Sequence, residues 1–391
     1  MSISAVYIHI PFCRRRCFYC DFPVTVLGDS AGSKYSNWQK EYVSFLCEEI
    51  AVTAENNSAI IETIFFGGGT PSLLHLQGLQ EIFTTIHNCF NVSKNAEISL
   101  EIDPATFNLE QLQEYKKLGI NRLSLGVQSF QDNLLANCGR THSLNDIYQG
   151  VNYIHEVGFD NWSLDLISGL PQQTLSDWRE SVRRALDLQP RHISCYDLVL
   201  ESGTVFGKKY QAGDKPLPPD DVSAQMYCIA SETLRENGYQ HYEICNYASQ
   251  GYESRHNLTY WRNQPYYGFG MGAASYVSNK RYTRPRTRQE YFDFVRQLQQ
   301  NQGYMEVDTT EETDQLLETL MLGLRLQEGV NLADIEVKFG QNIVSRILHC
   351  LQPYIKDNWV IFSESNSNLK LTDPDGFLYS NTVLSSLFVE F

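Results

Sequence analysis

The sequence predicts an α/β protein: a partial (β/α)6 barrel followed by a small C-terminal winged-helix-like domain. Three observations predict it. Six short β-rich runs alternate with helical patterns over residues 5–238, the order that calls for a parallel sheet with helical crossovers. Six units fall short of a complete eightfold barrel. Past residue 310, three helical patterns, a hairpin and a final helix form a second, smaller unit.

The strands are expected at "AVYIHI", "TIFF", "EISLEI", "RLSLGV", "NWSLDLI" and "ISCYDLVL". Three intervening helices end on a glycine, at Gly119, Gly158 and Gly238. Glycine takes a left-handed C′ position without a Cβ penalty, so each reads as a helix stop. "TLSDWRESVRRALDLQP" ends just before Pro190. Ligands of such sheets gather at the carboxyl ends of the strands, and the unusual polar motifs all fall there. A three-cysteine loop follows the first strand, and "GGGTP" (Gly67 to Pro71) follows the second. Glu101 and Asp103 close the third, Gln128 and Ser129 follow the fourth, and Asp165 begins the end of the fifth.

The domain boundaries read as 1–285 for the barrel, 286–310 for a polar connection and 311–391 for the C-terminal unit. Winged-helix modules often bind DNA, but residues 311–391 hold 5 Lys/Arg against 12 Asp/Glu. The whole chain of 391 residues carries 31 Lys+Arg and 46 Asp+Glu, a formal charge of -15. A phosphate backbone would be repelled, so nucleic acid is excluded as a general partner. No apolar run approaches the roughly 18 residues of a membrane span. The start "MSISAVYIHIPFC" has neither the basic residues nor the cleavage site of a secretory signal. The expected address is the cytoplasm, with thiols reduced and any membrane contact made through a partner.

Seven of the ten cysteines are scattered and read as small buried hydrophobes. The other three, Cys13, Cys17 and Cys20, share one loop at C-x3-C-x2-C spacing. Structural zinc normally closes a tetrahedron of four ligands, and no second pair supplies the fourth. An iron–sulfur cube uses about one thiolate per iron, so three cysteines leave one iron open to an exchangeable ligand. A zinc-stabilised, non-catalytic binding module stands as the alternative.

With the aromatic Tyr19 before its third cysteine, this loop resembles that of the radical-SAM superfamily. The resemblance implies a [4Fe-4S] cluster on Cys13, Cys17 and Cys20, S-adenosylmethionine on its open iron, and an electron donor. It further implies cofactor contacts at Gly67, Gly68, Gly69 and Thr70, at Glu101 and Gln128, and at Tyr7 and Tyr19. Arg140 is then a cation for the cofactor carboxylate, and Asp165 an acid for the ribose hydroxyls.

"YIHIPFC", "GGGTPS", "SLGVQSF", "DLISGLP" and "LMLGLRLQEGV" narrow the likeness to the coproporphyrinogen-dehydrogenase-related branch. That branch holds the oxygen-independent coproporphyrinogen III oxidases and the HemW heme chaperones. The oxidases carry a further cysteine two places after the third, where this sequence has Phe22. They also have a long extension before the cysteine motif, where twelve residues stand here. "HNLTYW", His256 to Trp261 in the segment 240–280, matches the H-N-x-x-Y-W motif of HemW proteins. The chain therefore resembles the HemW family.

That resemblance implies heme as ligand and an acceptor hemoprotein, respiratory or other, as partner, with radical turnover left open. Imidazole is a standard axial ligand of heme iron, so His256 is the expected iron ligand. Asn257 would orient the ring or a propionate, and Tyr260 and Trp261 would offer flat faces. The competing reading of this segment is a strand–turn with a satisfied histidine and two core aromatics. "RRR", Arg14 to Arg16, reads as a solvated loop face or a contact for an anionic partner.

Overall fold

A computed structural model describes residues 3–28, 35–54, 59–305 and 310–391. Six parallel strands stand side by side in chain order: β1 (Ala5–Ile10), β2 (Ile60–Gly68), β3 (Asn91–Ile102), β4 (Arg122–Gln128), β5 (Trp162–Ser168) and β6 (His192–Asp197). Tyr267–Phe269 adds a parallel edge beside β1, and Asn246–Ala248 an antiparallel strand beside β6, with Gln240–Glu243 antiparallel beyond it. The sheet is a (β/α)6 arrangement extended by one strand on one side and two on the other. The three glycine stops sit where expected, with Gly119, Gly158 and Gly238 all at positive φ (99°, 78° and 86°).

Strand periodicity decides what each face does. Side chains alternate across a strand. On β4, Leu123, Leu125 and Val127 are fully buried under the helices. The alternate residues Arg122, Ser124 and Gln128 face the interior. β5 repeats the pattern with Leu164 and Leu166 outward and Ser163 and Asp165 inward. The helix-covered face is therefore the apolar core, and the lumen face of β4 and β5 carries their polar side chains.

Residues 286–310 are not a mere connection. They contain the helix Arg288–Gln300, whose Tyr291, Phe292 and Val295 belong to the barrel's own core. Its apolar stripe packs on Asn37–Ala54, which the sequence's local polarity concealed. Residues 306–309 of that segment lie outside the described residues. Just before the helix, Arg284 meets Glu49 in a buried ion pair (Nε–Oε1 2.7 Å) with exposures of 1% and 0%. Glu49 also accepts from the Tyr291 hydroxyl at 2.7 Å and from the Gly270 N–H at 2.9 Å. Three segments, the helix Asn37–Ala54, Gly270 and residues 284–291, thus meet at one carboxylate.

The C-terminal unit has helices Glu312–Gly323, Leu332–Phe339 and Gln341–Lys356, then the hairpin Val360–Ser363 with Asn368–Leu371. A short strand unforeseen in the sequence, Val330–Asn331, pairs with the hairpin to make three. Leu320, Ile347, Leu351, Leu369 and Leu384 form its separate core.

Removing one partner of a buried ion pair strands the other charge, at about 3–5 kcal/mol. Glu49→Ala is expected to lower the unfolding free energy from urea titration by that amount. The paired Glu49→Met, Arg284→Met variant is expected to lose less, its remaining loss coming from the Tyr291 hydroxyl and Gly270 N–H left without their acceptor.

Candidate functional site

The site is built where the first two strands end. The backbone beyond β2 is clipped to the stem of the cysteine loop: Gly69 N–H donates to Ile10 C=O at 2.9 Å, and Thr70 N–H to Phe12 C=O at 2.7 Å. The far side of the loop is held by His9, whose Nε2 lies 2.9 Å from Pro23 C=O. Phe18 N–H donates to Cys138 C=O, and Phe206 N–H to Phe18 C=O, both at 2.9 Å. The glycines serve these contacts. A Cβ at Gly68 (φ 114°) would meet the His9 ring at 2.4 Å, and one at Gly69 the Phe12 carbonyl at 2.8 Å. Gly67 does not line the pocket, because its missing Cβ makes room for Tyr7 and Glu101.

Around this clip, Cys13, Cys17, Tyr19, Cys20, Gly68, Gly69, Thr70, Glu101, Gln128, Arg140 and Asp165 line one cavity of about 180 Å³. Eleven of the expected positions are therefore brought together from five strand ends. The thiols share the cavity without converging. Among the described residues, no three His, Cys, Asp or Glu side chains stand together as a metal-ligand set. Burial pushes the Cys13 thiol up to about 12 and raises that of Cys20. Protonated thiols have no charge to draw them to one point; a bound cation would have to supply that.

Arg140 is already engaged: it pairs with Asp103 Oδ1, donates to Gly126 C=O at 2.8 Å, and stands 3.7 Å from Cys17 Sγ. Thr70 donates its hydroxyl to Asp103 Oδ2 at 2.9 Å rather than capping the next turn. Asp103 thus organises both residues, a role the sequence marks only by its place two residues past Glu101 on the same face. Glu101 accepts from Gly68 N–H at 3.0 Å. Its carboxyl is pushed up to about 8, chiefly by burial and further by Asp165 and Asp103. Burial also lifts Asp165 to about 6. Ser124 donates to Asp165 Oδ2 at 3.1 Å, Ser194 lies beside the same carboxyl, and Oδ1 is buried with no protein donor in good hydrogen-bond geometry.

A second cavity, of about 350 Å³, continues down the lumen and shares Phe22, Gly68, Glu101, Ser124 and Asp165 with the first. Tyr7 lines this one rather than the first, stacked toward Phe65. The "HNLTYW" segment is neither strand nor turn but the helix Arg255–Trp261, capped by Ser254. His256, Asn257 and Tyr260 line the lumen, and Trp261 does not. At about 100° per residue, position 260 returns to the face of 256 while 261 turns away. Trp261 is thus no platform in this cavity.

His256 is fully buried. Its Nδ1 lies 2.8 Å from Thr63 Oγ1 and its Nε2 2.8 Å from the Tyr260 hydroxyl. Burial pushes its pKa down to about 3, so it is neutral. An axial ligand needs a free ring nitrogen, and both are committed. The structure therefore does not present His256 as an open iron ligand. Phe22 is 58% exposed at the mouth.

Residues 7–185 match the model of the Radical SAM superfamily, and residues 311–378 that of the HemN C-terminal domain. A Synechocystis protein named Heme chaperone HemW is 48% identical, across 98% of this chain and 96% of its own. The chain belongs to the HemW family. The Bacillus subtilis HemW is 37% identical over 87% of this chain and 88% of its own. Zebrafish mitochondrial Radical S-adenosyl methionine domain-containing protein 1 is 31% identical over 84% of this chain and 74% of its own. The structure of Escherichia coli coproporphyrinogen III oxidase, a radical SAM enzyme, aligns with a TM-score of 0.83. It covers 99% of this chain and 90% of its own at 22% identity, a likeness of fold alone. HemW membership places the three cysteines in a radical-SAM domain, whose family implies a [4Fe-4S] cluster and S-adenosylmethionine. Among the described residues no helix is long and apolar enough to cross a membrane.

Glu101 holds its proton more tightly folded than unfolded, so the native state binds more protons between pH 4.5 and about 8. Stability must then fall as pH rises through that window. Glu101→Gln is expected to flatten the fall in the unfolding midpoint over this range and to match the parent below it.

Proposed function

We propose that the protein is a heme chaperone. It holds heme for delivery to an acceptor hemoprotein, respiratory or other, and it carries a [4Fe-4S] cluster and S-adenosylmethionine in the barrel. The observation that carries this reading is the 48% identity with the Synechocystis Heme chaperone HemW over nearly the full length of both chains.

The residues present fit the two implied groups. Cys13, Cys17 and Cys20 would hold the cluster as soft thiolate donors on one pinned loop. Gly68, Gly69 and Thr70 bring backbone to the cavity edge, with Glu101, Gln128 and Tyr19 around it. Asp165 Oδ1, buried with no protein donor in good hydrogen-bond geometry, is an acceptor waiting for a hydroxyl such as those of a ribose. When bound, the pair supplies one-electron chemistry to the pocket. The chain's own part is to hold and to shield. Arg140, fixed by Asp103, keeps a positive charge beside Cys17. Glu101, mostly protonated at neutral pH, presents a carboxyl hydrogen-bond donor as well as an acceptor.

Heme belongs outside the lumen in this reading. About 350 Å³ lies at the low end for small-molecule sites, roughly 300–1,000 Å³, and a porphyrin with its substituents needs more. His256, Asn257, Tyr260 and Trp261 then act as the wall between the lumen and the chain outside it. The alternative of a coproporphyrinogen oxidase rests on fold alone, and Phe22 stands where that chemistry has its extra cysteine.

Protein made and reconstituted without air is expected to hold iron and sulfide near about four of each, and Cys17→Ser to lose most of both. Zinc in place of iron would defeat the cluster assignment. Titration with heme, followed by the Soret band with and without S-adenosylmethionine, is expected to saturate near one equivalent. His256→Ala is expected to retain heme and to lose thermal stability instead. Failure of the parent protein to take up heme would remove the chaperone reading.

A further inference from the structure

Among the described residues, the floor of the lumen carries a buried cation with no carboxylate in ion-pair contact. Arg122, at the start of β4, is 2% exposed. Among the described residues it stands in no ion pair. Its hydrogen bonds both run from Nη1, to Asn161 Oδ1 at 2.8 Å and to the Tyr252 carbonyl at 3.0 Å. Glu97, on the neighbouring strand, is committed elsewhere: it accepts from the backbone N–H groups of Arg255 at 3.2 Å and His256 at 3.0 Å. A buried charge is costly unless it is paired and hydrogen-bonded.

His192, at the start of β6, lines the same cavity and is also 2% exposed. Its Nε2 lies 2.8 Å from the Tyr242 hydroxyl, while its Nδ1 is buried with no partner. The Tyr242 oxygen accepts from Ser254 N–H at 3.3 Å, so its own proton is free to go to His192 Nε2. When Tyr242 donates to Nε2, the hydrogen of the neutral ring sits on Nδ1, which has no protein partner in the lumen. Ser163 and Ser194, inward-facing on β5 and β6, add hydroxyls beside these two.

We propose that the lumen floor is a carboxylate receptor, with Arg122 as its anchor and His192 Nδ1–H as a further donor. The ligand is a monocarboxylate on a short chain, its acid group down on Arg122 and its body rising between Tyr7, Phe65 and Tyr260 toward Glu101 and Asp165. A guanidinium and an imidazole N–H are both donors, which suits an acceptor-only group such as an ionised carboxylate. The aromatic upper wall suits an apolar body. This assignment stands apart from the heme reading, and its test includes heme as a second source of the same carboxylate chemistry.

The test is calorimetric titration of the reconstituted protein with 3-phenylpropionate and with its neutral amide. The acid is expected to bind at least about tenfold more tightly than the amide, the range for a hydrogen bond to a charged partner. Arg122→Gln is expected to abolish that preference, and His192→Phe to reduce it. The acid–amide comparison uses the unaltered chain and does not depend on how the variants fold. Equal binding of acid and amide, or none of either, overturns the assignment. A second pair separates the sources. Heme preferred over its dimethyl ester, with the preference lost in Arg122→Gln, assigns the site to the tetrapyrrole arm. Heme and diester bound alike, with phenylpropionate still bound, assigns it to a free acid. Absence of heme binding with phenylpropionate retained would fell the chaperone reading and leave this site standing.

Discussion

The structure depends on one constraint: each of six parallel strands must bury an apolar face under helices while the opposite face points into a common lumen. Leu123, Leu125 and Val127 meet the first demand on β4, and Arg122, Ser124 and Gln128 occupy the second face. The hydrophobic effect acts on the outer face alone. The inner face is left free to carry polar groups, and they must find partners inside. Serines 124 and 163 do so by bonding to each other at 2.9 Å. Asp165 Oδ1 and His192 Nδ1 do not, and both lie on the lumen wall. Those open valences mark where the fold expects something other than itself.

The upper end of the lumen shows how charge is managed. Glu101 and Asp103 come from the end of β3 and Asp165 from β5, with the Arg140 guanidinium paired to Asp103. Burial and mutual repulsion leave Glu101 and Asp165 easier to protonate than free carboxyls. The rim therefore holds three acids without holding three charges. Beside it the cysteine loop is fastened at both ends, by backbone bonds from Gly69 and Thr70 and by His9 to Pro23. A loop fixed in this way presents its thiols on a rigid stem, as a preorganised ligand set requires.

The helix Arg255–Trp261 closes the lumen from the side. It is held by Glu97 at its first N–H groups and by Thr63 on His256, residues from two different barrel strands. Its motif therefore reads first as architecture: a buried, neutral histidine spaced between a threonine and a tyrosine. The ring stacks toward Phe65 at 5.2 Å, continuing the aromatic wall begun by Tyr7.

What the sequence determined by itself was local: the spacing of Cys13, Cys17 and Cys20, the glycine stops at 119, 158 and 238, and the strand-end position of GGGTP, Glu101, Gln128 and Asp165. Each is a property of neighbours along the chain, and neighbours set turn geometry, face and strand end. The tertiary structure decided who meets whom. Only folding sets Asp103 against Arg140, Glu49 against Arg284 and Thr63 against His256, pairs drawn from separate elements. Only folding turned residues 288–300 into a core helix and moved Trp261 off the lumen wall. Periodicity tells a residue which side it faces, but the partner on that side comes from a distant segment, and short-range pattern carries no information about distant segments.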